Sequence, residues 1–172
     1  DYDRLGMLIK WNPAIKTRHD QQEIFRALLD DRIDVIATDH APHTREEKNN
    51  GYFQAPSGGP LIQHSVVAMM EFYHQKKISL EKIVQKMAHN PAILFQIKDR
   101  GFIREGYFAD LVLVNPEKPW QVEKPNILAK CGWSPFERNT FKSSVTKTWV
   151  SGHLAYSDGK FNENKMGERL TF

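Results

Sequence analysis

A short segment, Ala37 to His43, is the part of the sequence best suited to chemistry. It places Asp39 two residues after the end of an apolar run and puts His40 and His43 within the next four residues. In parallel α/β architectures, the loop that follows a buried strand is where active sites are built. A carboxylate there is costly unless it is hydrogen-bonded, paired or bound to metal. Asp39 is therefore a candidate for ligating a divalent metal and for moving the proton of an attacking water.

A purely structural interpretation of these residues is equally open on spacing alone. Asp39 could cap a turn, and His43 could be an ordinary loop histidine. A catalytic zinc site needs about three or four protein ligands, and a two-metal site needs more. The sequence has no His-x-His pair, no His-x-x-x-His motif and no cysteine cluster; its histidines are His19, His40, His43, His64, His74, His89 and His153. A complete metal site is therefore not encoded locally in this sequence.

The first 100 residues alternate short apolar runs with helical patterns. The pattern predicts strands over Leu5 to Lys10 and over Ile33 to Ala37, the second one buried on both faces. Between them it predicts a helix over Gln21 to Asp31, with Thr17 or Asp20 as its cap. The apolar face of this helix would consist of Ile24, Phe25, Leu28 and Leu29. A strand, a helix and a strand in this order make one βαβ unit, and Asp39 would follow its second strand.

The middle of the sequence reads as a loop followed by two helices. The stretch from Ala41 to Pro60 is rich in glycine and proline and is predicted to be a polar loop. Pro60 is well placed to open a helix. Ser79 is predicted to cap a further helix, which ends at Asn90-Pro91.

Beyond Asp99 the pattern becomes β-like. Asp110 to Val114 is predicted to be a strand. Val145 to Val150 and His153 to Tyr156 are predicted to form a hairpin around Ser151-Gly152. The overall fold class is therefore α/β, with a small β-layer packed beside the α/β part.

Composition narrows the possible classes of function. The sequence has 172 residues, of which 40% are hydrophobic and 26% charged, as in soluble globular proteins. No apolar run approaches the roughly 20 residues of a membrane span, and no basic stripe with interleaved aromatics suggests nucleic-acid binding. Cys131 is the only cysteine, which favours a reducing, cytoplasmic location and a packing role for this residue. Because the chain begins with Asp1 and not with Met, we expect its natural start to lie upstream.

Several motifs in a fixed order resemble the dihydroorotase family of the amidohydrolase superfamily. Ala37 to His43 resembles the signature at the last barrel strand, Lys10 to Ile15 the preceding strand-end motif, and Pro56 to Pro60 the loop that closes over the substrate. Further matches are His89-Asn90-Pro91-Ala92, Gly101 to Gly106, Ala109 to Val114, Cys131 to Phe136 and Val150 to His153. The resemblance implies that residues 1–100 supply the last strands and helices of a (β/α)8 metal-dependent hydrolase barrel, and residues 101–172 the C-terminal segment of a composite β-sandwich.

The resemblance also implies roles for individual residues. Asp39 would ligate the metal and act as general base and then general acid. Asn12 and His43 would hydrogen-bond the substrate. A backbone N–H near Gly58, with Ser57 beside it, would hold the substrate ring. The cofactor would be one or two zinc ions, held mostly by residues upstream of this chain: a His-x-His pair, a carboxylated lysine and two further histidines.

Three other histidines are predicted to be structural. His40 would support the loop that carries Asp39. His64, at a helix start, would serve in packing or capping. His89 would have a structural role at its helix end.

The implied activity is the reversible interconversion of dihydroorotate and N-carbamoyl-aspartate in pyrimidine synthesis. The implied partners are that small-molecule substrate, further copies of the protein, and aspartate transcarbamoylase. Three other interpretations stay open: a catalytically inactive structural partner, a hydantoinase, dihydropyrimidinase or allantoinase relative, and a generic βαβ binding module. Asn12 and His43 favour dihydroorotase, because a substrate with a carboxylate needs such donors.

The sequence departs from the family pattern in two places. Ala14-Ile15-Lys16 stands where many members carry Pro-Leu-Arg. The resemblance therefore does not define which residues here contact the edge of the substrate ring. Ser57 and Gly59 differ from the commonest version of the closing loop. Because part of a barrel exposes sheet edges and core faces, we also expect this chain not to fold stably by itself.

Overall fold

The structure, a computed structural model, describes residues 2–172. Two short helical turns form the beginning of this part of the chain. Helix α1, Tyr2–Leu5, continues into a 3-10 turn over Gly6–Ile9. The prediction of a strand from Leu5 to Lys10 is therefore wrong. A strand persists only where a neighbour pairs with its N–H and C=O groups. Here the N–H of Lys10 donates to the carbonyl of Met7 inside the turn, at 3.1 Å.

Helix α2, Arg18–Leu29, begins at the predicted cap. The Thr17 hydroxyl accepts a hydrogen bond from the N–H of Asp20, and the Asp20 carboxylate accepts one from the N–H of Thr17. This reciprocal pair satisfies two N–H groups that the helix itself cannot use. Of the predicted apolar face, Leu28 is buried, whereas Ile24 is 60% exposed. The cap is therefore confirmed, and the buried face is narrower than predicted.

The apolar run Ile33 to Ala37 does not form the predicted strand. The N–H of Ile36 donates to the carbonyl of Lys86, in a helical segment, at 3.0 Å. Within residues 2–172, parallel bridging outside the named strands is confined to one contact between His40 and Gly59. The predicted βαβ unit is wrong, because no neighbouring strand pairs with this run in the described chain.

Short helices continue the fold. Helix α3, Arg45–Lys48, interrupts the predicted loop. A 3-10 turn at Ile62–His64 leads into helix α4, Ser65–His74, which begins five residues after Pro60. No helix in residues 2–172 combines the length and apolar character that crossing a membrane requires.

Helix α5, Leu80–Val84, is capped by the Ser79 hydroxyl as predicted, which accepts from the N–H of Lys82. Asn90-Pro91 does not end the helical path. A π-turn over Gln85–His89 connects α5 to helix α6, Asn90–Leu94. Pro91 has no N–H to donate, and the wider turn before it lets the chain continue helically.

The remainder of the chain is built mainly from antiparallel strands. Their bounds are β1 Leu111–Asn115, β2 Trp120–Gln121, β3 Thr140–Phe141, β4 Ser144–Val150, β5 His153–Ser157 and β6 Lys160–Phe161. One sheet has the order β1-β4-β5-β6, and β2 pairs with β3 in a second. The predicted hairpin is confirmed: Ser151 and Gly152 turn between β4 and β5 with φ of 48° and 79°. Two positive φ angles are what a two-residue I′ turn requires.

Helix α4 packs on both sides and so connects the two parts of the fold. On its helical side Met70 lies in a buried cluster with Leu28, Ile78 and Ile83. On its other side Val67 lies in a cluster with Val122 and Phe141, from the β2–β3 region. This double packing holds the chain that precedes α4 against the β-rich part.

Candidate functional site

Main-chain hydrogen bonds join the three segments that carry the predicted site residues. These are segment 10–12 with Asn12, segment 39–43 with Asp39 and His43, and loop 56–60 with Ser57 and Gly58. The N–H of Gly58 donates to the carbonyl of Lys10 at 2.9 Å. The N–H of Ala41 donates to the carbonyl of Gly59 at 3.3 Å. Loop 56–60 therefore contacts both other segments, and the fold brings the predicted residues into one region.

Asp39 combines exposure with an unusual backbone conformation. Its φ is +46°, in the left-handed region, which Asp tolerates better than most residues. No residue in the range 2–172 donates a hydrogen bond or forms an ion pair with its carboxylate. A left-handed residue with an exposed, unpaired carboxylate is suited to a ligand contact, because strained positions often occur at functional sites.

The residues present fit a metal only in part. A carboxylate oxygen such as that of Asp39 is an ordinary zinc ligand. Within residues 2–172, however, no three His, Cys, Asp or Glu side chains gather into a group that could hold a metal ion. Asp39 can therefore be one ligand of a metal whose other ligands come from further residues.

His40 fastens segment 39–43 to the start of α4. Its Nδ1 accepts hydrogen bonds from the N–H groups of Leu61, at 3.0 Å, and Ile62, at 3.2 Å. Because Nδ1 accepts both bonds, the neutral ring carries its proton on Nε2. This geometry agrees with the predicted role of His40 as a support for the Asp39 loop.

His43 is held from two directions. Its Nδ1 lies 3.7 Å from a carboxylate oxygen of Glu47. The N–H and hydroxyl of Thr44 donate to that carboxylate and hold the pKa of Glu47 below its usual value, so it stays ionised beside the imidazole. The carbonyl of His43 accepts from the indole Nε1 of Trp133 at 2.7 Å. His43 therefore has a fixed main chain and a negative neighbour.

Two glycines allow the close approach of loop 56–60. Gly58 has φ of +110°, and a Cβ there would lie 2.6 Å from Ala41 Cβ. A Cβ at Gly59 would lie 2.5 Å from a ring carbon of Trp11 and 3.1 Å from one of Trp133. Two indole rings thus require glycine at position 59, which accounts physically for one of the departures in this loop.

Lys48 is a member of the site that the sequence did not reveal. It is buried, and its Nζ donates to the carbonyls of Lys10 at 3.2 Å, Pro56 at 2.9 Å and Gly58 at 2.9 Å. Burial, and secondarily the charge of Lys10, lower the pKa of Lys48. A lysine that ends the sequence Arg-Glu-Glu-Lys resembles a solvated surface residue, so no pattern pointed to its burial.

The polar groups of Asn12 and Ser57 are not used inside the described chain. Asn12 is exposed and Ser57 is partly buried. Neither side chain hydrogen-bonds to a residue between 2 and 172. By contrast, the N–H of Gly58 already donates to Lys10, so a substrate contact through that particular N–H would compete with this bond. Asn12, Asp39 and Ser57 therefore offer polar groups on the three joined segments.

Two other histidines are structural, as predicted. His64 is 1% exposed and its ring stacks on those of Trp120 and Phe141. Burial lowers its pKa to about 4. The ring of His89 stacks on that of Phe102, with the two ring centroids 4.3 Å apart.

Comparison with known proteins identifies the family. A family model described as the amidohydrolase family matches residues 12–155. The chain belongs to the amidohydrolase family. Among its relatives, the dihydroorotase of Clostridioides difficile (strain 630) is 35% identical over 158 residues, which are 91% of this chain and 37% of that protein. The dihydroorotase of Halobacterium salinarum is 38% identical over 137 residues, which are 80% of this chain and 32% of that protein.

Solved structures of hydantoinases share the fold. The L-hydantoinase (dihydropyrimidinase) from Arthrobacter aurescens superposes with a TM-score of 0.91 and 24% identity, covering 99% of this chain and 39% of that one. The D-hydantoinase (dihydropyrimidinase) from Thermus sp. superposes with a TM-score of 0.84 and 23% identity, covering 94% of this chain and 36% of that one. This amidohydrolase chain thus spans between about a third and two fifths of the length of the proteins it matches.

Proposed function

We propose that this amidohydrolase chain is part of a dihydroorotase, which reversibly interconverts dihydroorotate and N-carbamoyl-aspartate in pyrimidine biosynthesis. The observation that carries the proposal is the joining of segment 10–12, segment 39–43 and loop 56–60, with the polar groups of Asn12, Asp39 and Ser57 unused inside the described chain. The similarity to dihydroorotases, at 35% and 38% identity over most of the chain, supports it.

In the proposed reaction this chain supplies proton transfer and substrate binding. Asp39 takes the proton of the attacking water as general base and gives it to the leaving amide nitrogen as general acid. Asn12 and His43 donate hydrogen bonds to the substrate carboxylate, and Ser57 with a backbone N–H near Gly58 holds the ring. A bound divalent metal would polarise the ring carbonyl and lower the pKa of water.

The same proposal assigns the larger architecture. Residues 1–100, which contain helices α1 to α6, would belong to a (β/α)8 barrel, and residues 101–172, which contain strands β1 to β6, to a composite β-sandwich. The cofactor would be one or two zinc ions, with Asp39 as the ligand from this chain. The enzyme would act in the cytoplasm as a homo-oligomer that can associate with aspartate transcarbamoylase.

A panel of cyclic substrates, together with the open-chain product N-carbamoyl-aspartate, tests the proposed function. Full-length protein is assayed with dihydroorotate, N-carbamoyl-aspartate, dihydrouracil, a 5-substituted hydantoin and allantoin. Because a site built to bind a carboxylate leaves donors unpaired when the substrate lacks one, kcat/KM for dihydroorotate should exceed that for dihydrouracil by about 100-fold or more. A preference for the neutral rings would identify a hydantoinase or allantoinase instead, and no turnover of any substrate would favour a structural partner.

Substitutions on the binding segments sharpen this test. Asn12→Ala and His43→Ala should each raise the KM for dihydroorotate by about 10-fold or more, because each removes a donor to the carboxylate. The matched controls are Asn164→Ala and His19→Ala, which change the same residue types at exposed positions outside the three segments. Equal effects in the variants and their controls would contradict the assignment.

A further inference from the structure

Within residues 2–172, the buried ammonium of Lys48 hydrogen-bonds only to carbonyl groups. Taking an ammonium out of water is costly unless hydrogen bonds or an opposite charge compensate it. Lys48 is 1% exposed, and no carboxylate of residues 2–172 forms an ion pair with it. Its three N–H groups match its three acceptors, the carbonyls of Lys10, Pro56 and Gly58. The hydrogen bonds that compensate this charge therefore all come from main-chain carbonyls, and no carboxylate of residues 2–172 takes part.

The acceptors lie on two of the segments that carry the proposed binding residues. Lys10 is two residues before Asn12, and Pro56 and Gly58 flank Ser57. The carbonyl of Lys10 also accepts the N–H of Gly58, so Lys48 and Gly58 together make a double connection between segment 10–12 and loop 56–60.

The position of Lys48 is itself well defined. Lys48 is the last residue of helix α3. The N-terminus of this helix is capped by reciprocal hydrogen bonds between Thr44 and Glu47. The Arg45 guanidinium pairs with Glu137 at 2.7 Å and ties α3 to the β-rich part. The Nζ of Lys48 also lies 6.0 Å from the ring centroid of Trp11. Lys48 thus acts from a short but anchored helix.

We infer that Lys48 is a positioning residue: its ammonium sets the place of loop 56–60 relative to segment 10–12, and through it the substrate affinity of the proposed site. An apolar side chain could fill the same volume without the cost of burying a charge. What an apolar side chain could not do is hold three carbonyls at once. The expected effect of Lys48 on substrate affinity rests on the proposed function. The expected effect of Lys48 on the position of loop 56–60 does not.

The test compares two buried lysines in the full-length enzyme. Lys86 is also 1% exposed and its Nζ also donates to a carbonyl, that of Ile33, but it pairs with Asp31 and does not contact the three segments. Lys48→Met and Lys86→Met therefore remove the same group from equally buried positions. Lys48→Arg restores a charged donor, and Lys48→Gln replaces Lys48→Met if that variant does not fold.

Amide hydrogen exchange gives a readout that does not depend on turnover. In Lys48→Met, exchange in peptides covering residues 51–60 should accelerate by about 10-fold or more, whereas in Lys86→Met the acceleration should be confined to peptides near residues 31–36 and 80–94. Wild-type exchange rates in residues 51–60 of Lys48→Met would overturn the inference.

Kinetics then connect the loop to substrate. Lys48→Met should raise the KM for dihydroorotate by about 10-fold with kcat within about threefold, Lys48→Arg should recover part of the loss, and Lys86→Met should leave KM unchanged. Equal KM values in Lys48→Met and Lys86→Met would overturn the effect on affinity. Absence of wild-type turnover would count against the proposed function alone, and the exchange result would still decide whether Lys48 positions the loop.

Discussion

The indole Nε1 of Trp133 donates a 2.7 Å hydrogen bond to the carbonyl of His43, which lies 90 residues earlier in the chain. Trp133 is fully buried, and a Cβ at Gly59 would lie 3.1 Å from a carbon of its ring. Four residues later, Glu137 pairs with Arg45. The segment around Trp133 therefore supports both segment 39–43 and loop 56–60 from the β-rich part of the fold.

Removing the indole donor should weaken the candidate site. Trp133→Phe leaves the His43 carbonyl without this partner and creates a small void, so we expect a loss of about 2–4 kcal/mol in the free energy of unfolding. We also expect kcat/KM for dihydroorotate to fall by about 10-fold or more per folded molecule, because the His43 main chain is released. Denaturant unfolding and steady-state kinetics of the full-length enzyme measure the two effects.

Trp120→Phe is the matched control. The Nε1 of Trp120 donates to the carbonyl of Ser143 at 3.0 Å, away from the three segments. This variant should lose comparable stability and keep its kcat/KM per folded molecule. Equal kcat/KM in the two variants would show that the bond to His43 serves stability only.

Adding one methyl group at Gly58 should disrupt the approach of loop 56–60. Gly58→Ala imposes a Cβ 2.6 Å from Ala41 Cβ at a φ of +110°. Gly106→Ala is the control, since Gly106 has φ of +83° and no atom within 4 Å of its Cβ position. The control should cost only about 1 kcal/mol of backbone strain, whereas Gly58→Ala should cost more and also raise the KM for dihydroorotate. Equal stabilities and equal KM values would contradict the close packing of the loop.

His64 should make stability depend on pH. Burial lowers its pKa from 6.5 to about 4, so the folded protein keeps it neutral where the unfolded chain protonates it. The stabilisation is fully present above pH 6.5 and is lost as pH falls toward 4, by up to about 3 kcal/mol. His64→Phe keeps an aromatic ring and removes the titration. The difference in unfolding free energy between pH 7 and 4.5 should therefore be smaller in the variant; an equal difference would remove His64 as its source.

Some local features of the fold could be predicted from the sequence. The capping residues Thr17 and Ser79 and the turn Ser151-Gly152 act through bonds or backbone angles within a few residues, so their neighbours in the sequence define them. The candidate site could be located for a similar reason: the motifs around Asp39 and Gly58 are contiguous, and the fold does bring them together.

Other features depend on distant partners and could not be predicted. The strands expected over Leu5 to Lys10 and Ile33 to Ala37 require a neighbouring strand, and apolar runs alone do not specify one. The burial of Lys48 depends on three carbonyls that accept from its Nζ. They belong to Lys10, 38 positions earlier in the sequence, and to Pro56 and Gly58, 8 and 10 positions later. The role of Trp133 likewise depends on a contact across 90 residues.

The isolated chain should expose much apolar surface. Ile103 is 89% exposed, and Ile93 and Leu94 at the end of α6 and Phe95 directly after it are exposed as well. Exposed apolar patches of this kind promote association. We expect the 172-residue chain, expressed alone, to bind an apolar dye and self-associate at micromolar concentration, unlike the full-length protein. Dye fluorescence and size-exclusion chromatography measure this; a monodisperse monomer that unfolds cooperatively would contradict it.

Metal content and turnover of the full-length protein together test the proposed role of Asp39 as metal ligand and general base. Asp39→Asn keeps the shape and tolerates the φ of +46°, so a loss would reflect the carboxylate. Asp34→Asn, an exposed position five residues earlier, is the control. We predict bound divalent metal and dihydroorotate turnover in the wild type and the control, and a fall in turnover of about 1,000-fold or more in Asp39→Asn. Retained metal with unchanged turnover in Asp39→Asn would contradict this role of Asp39.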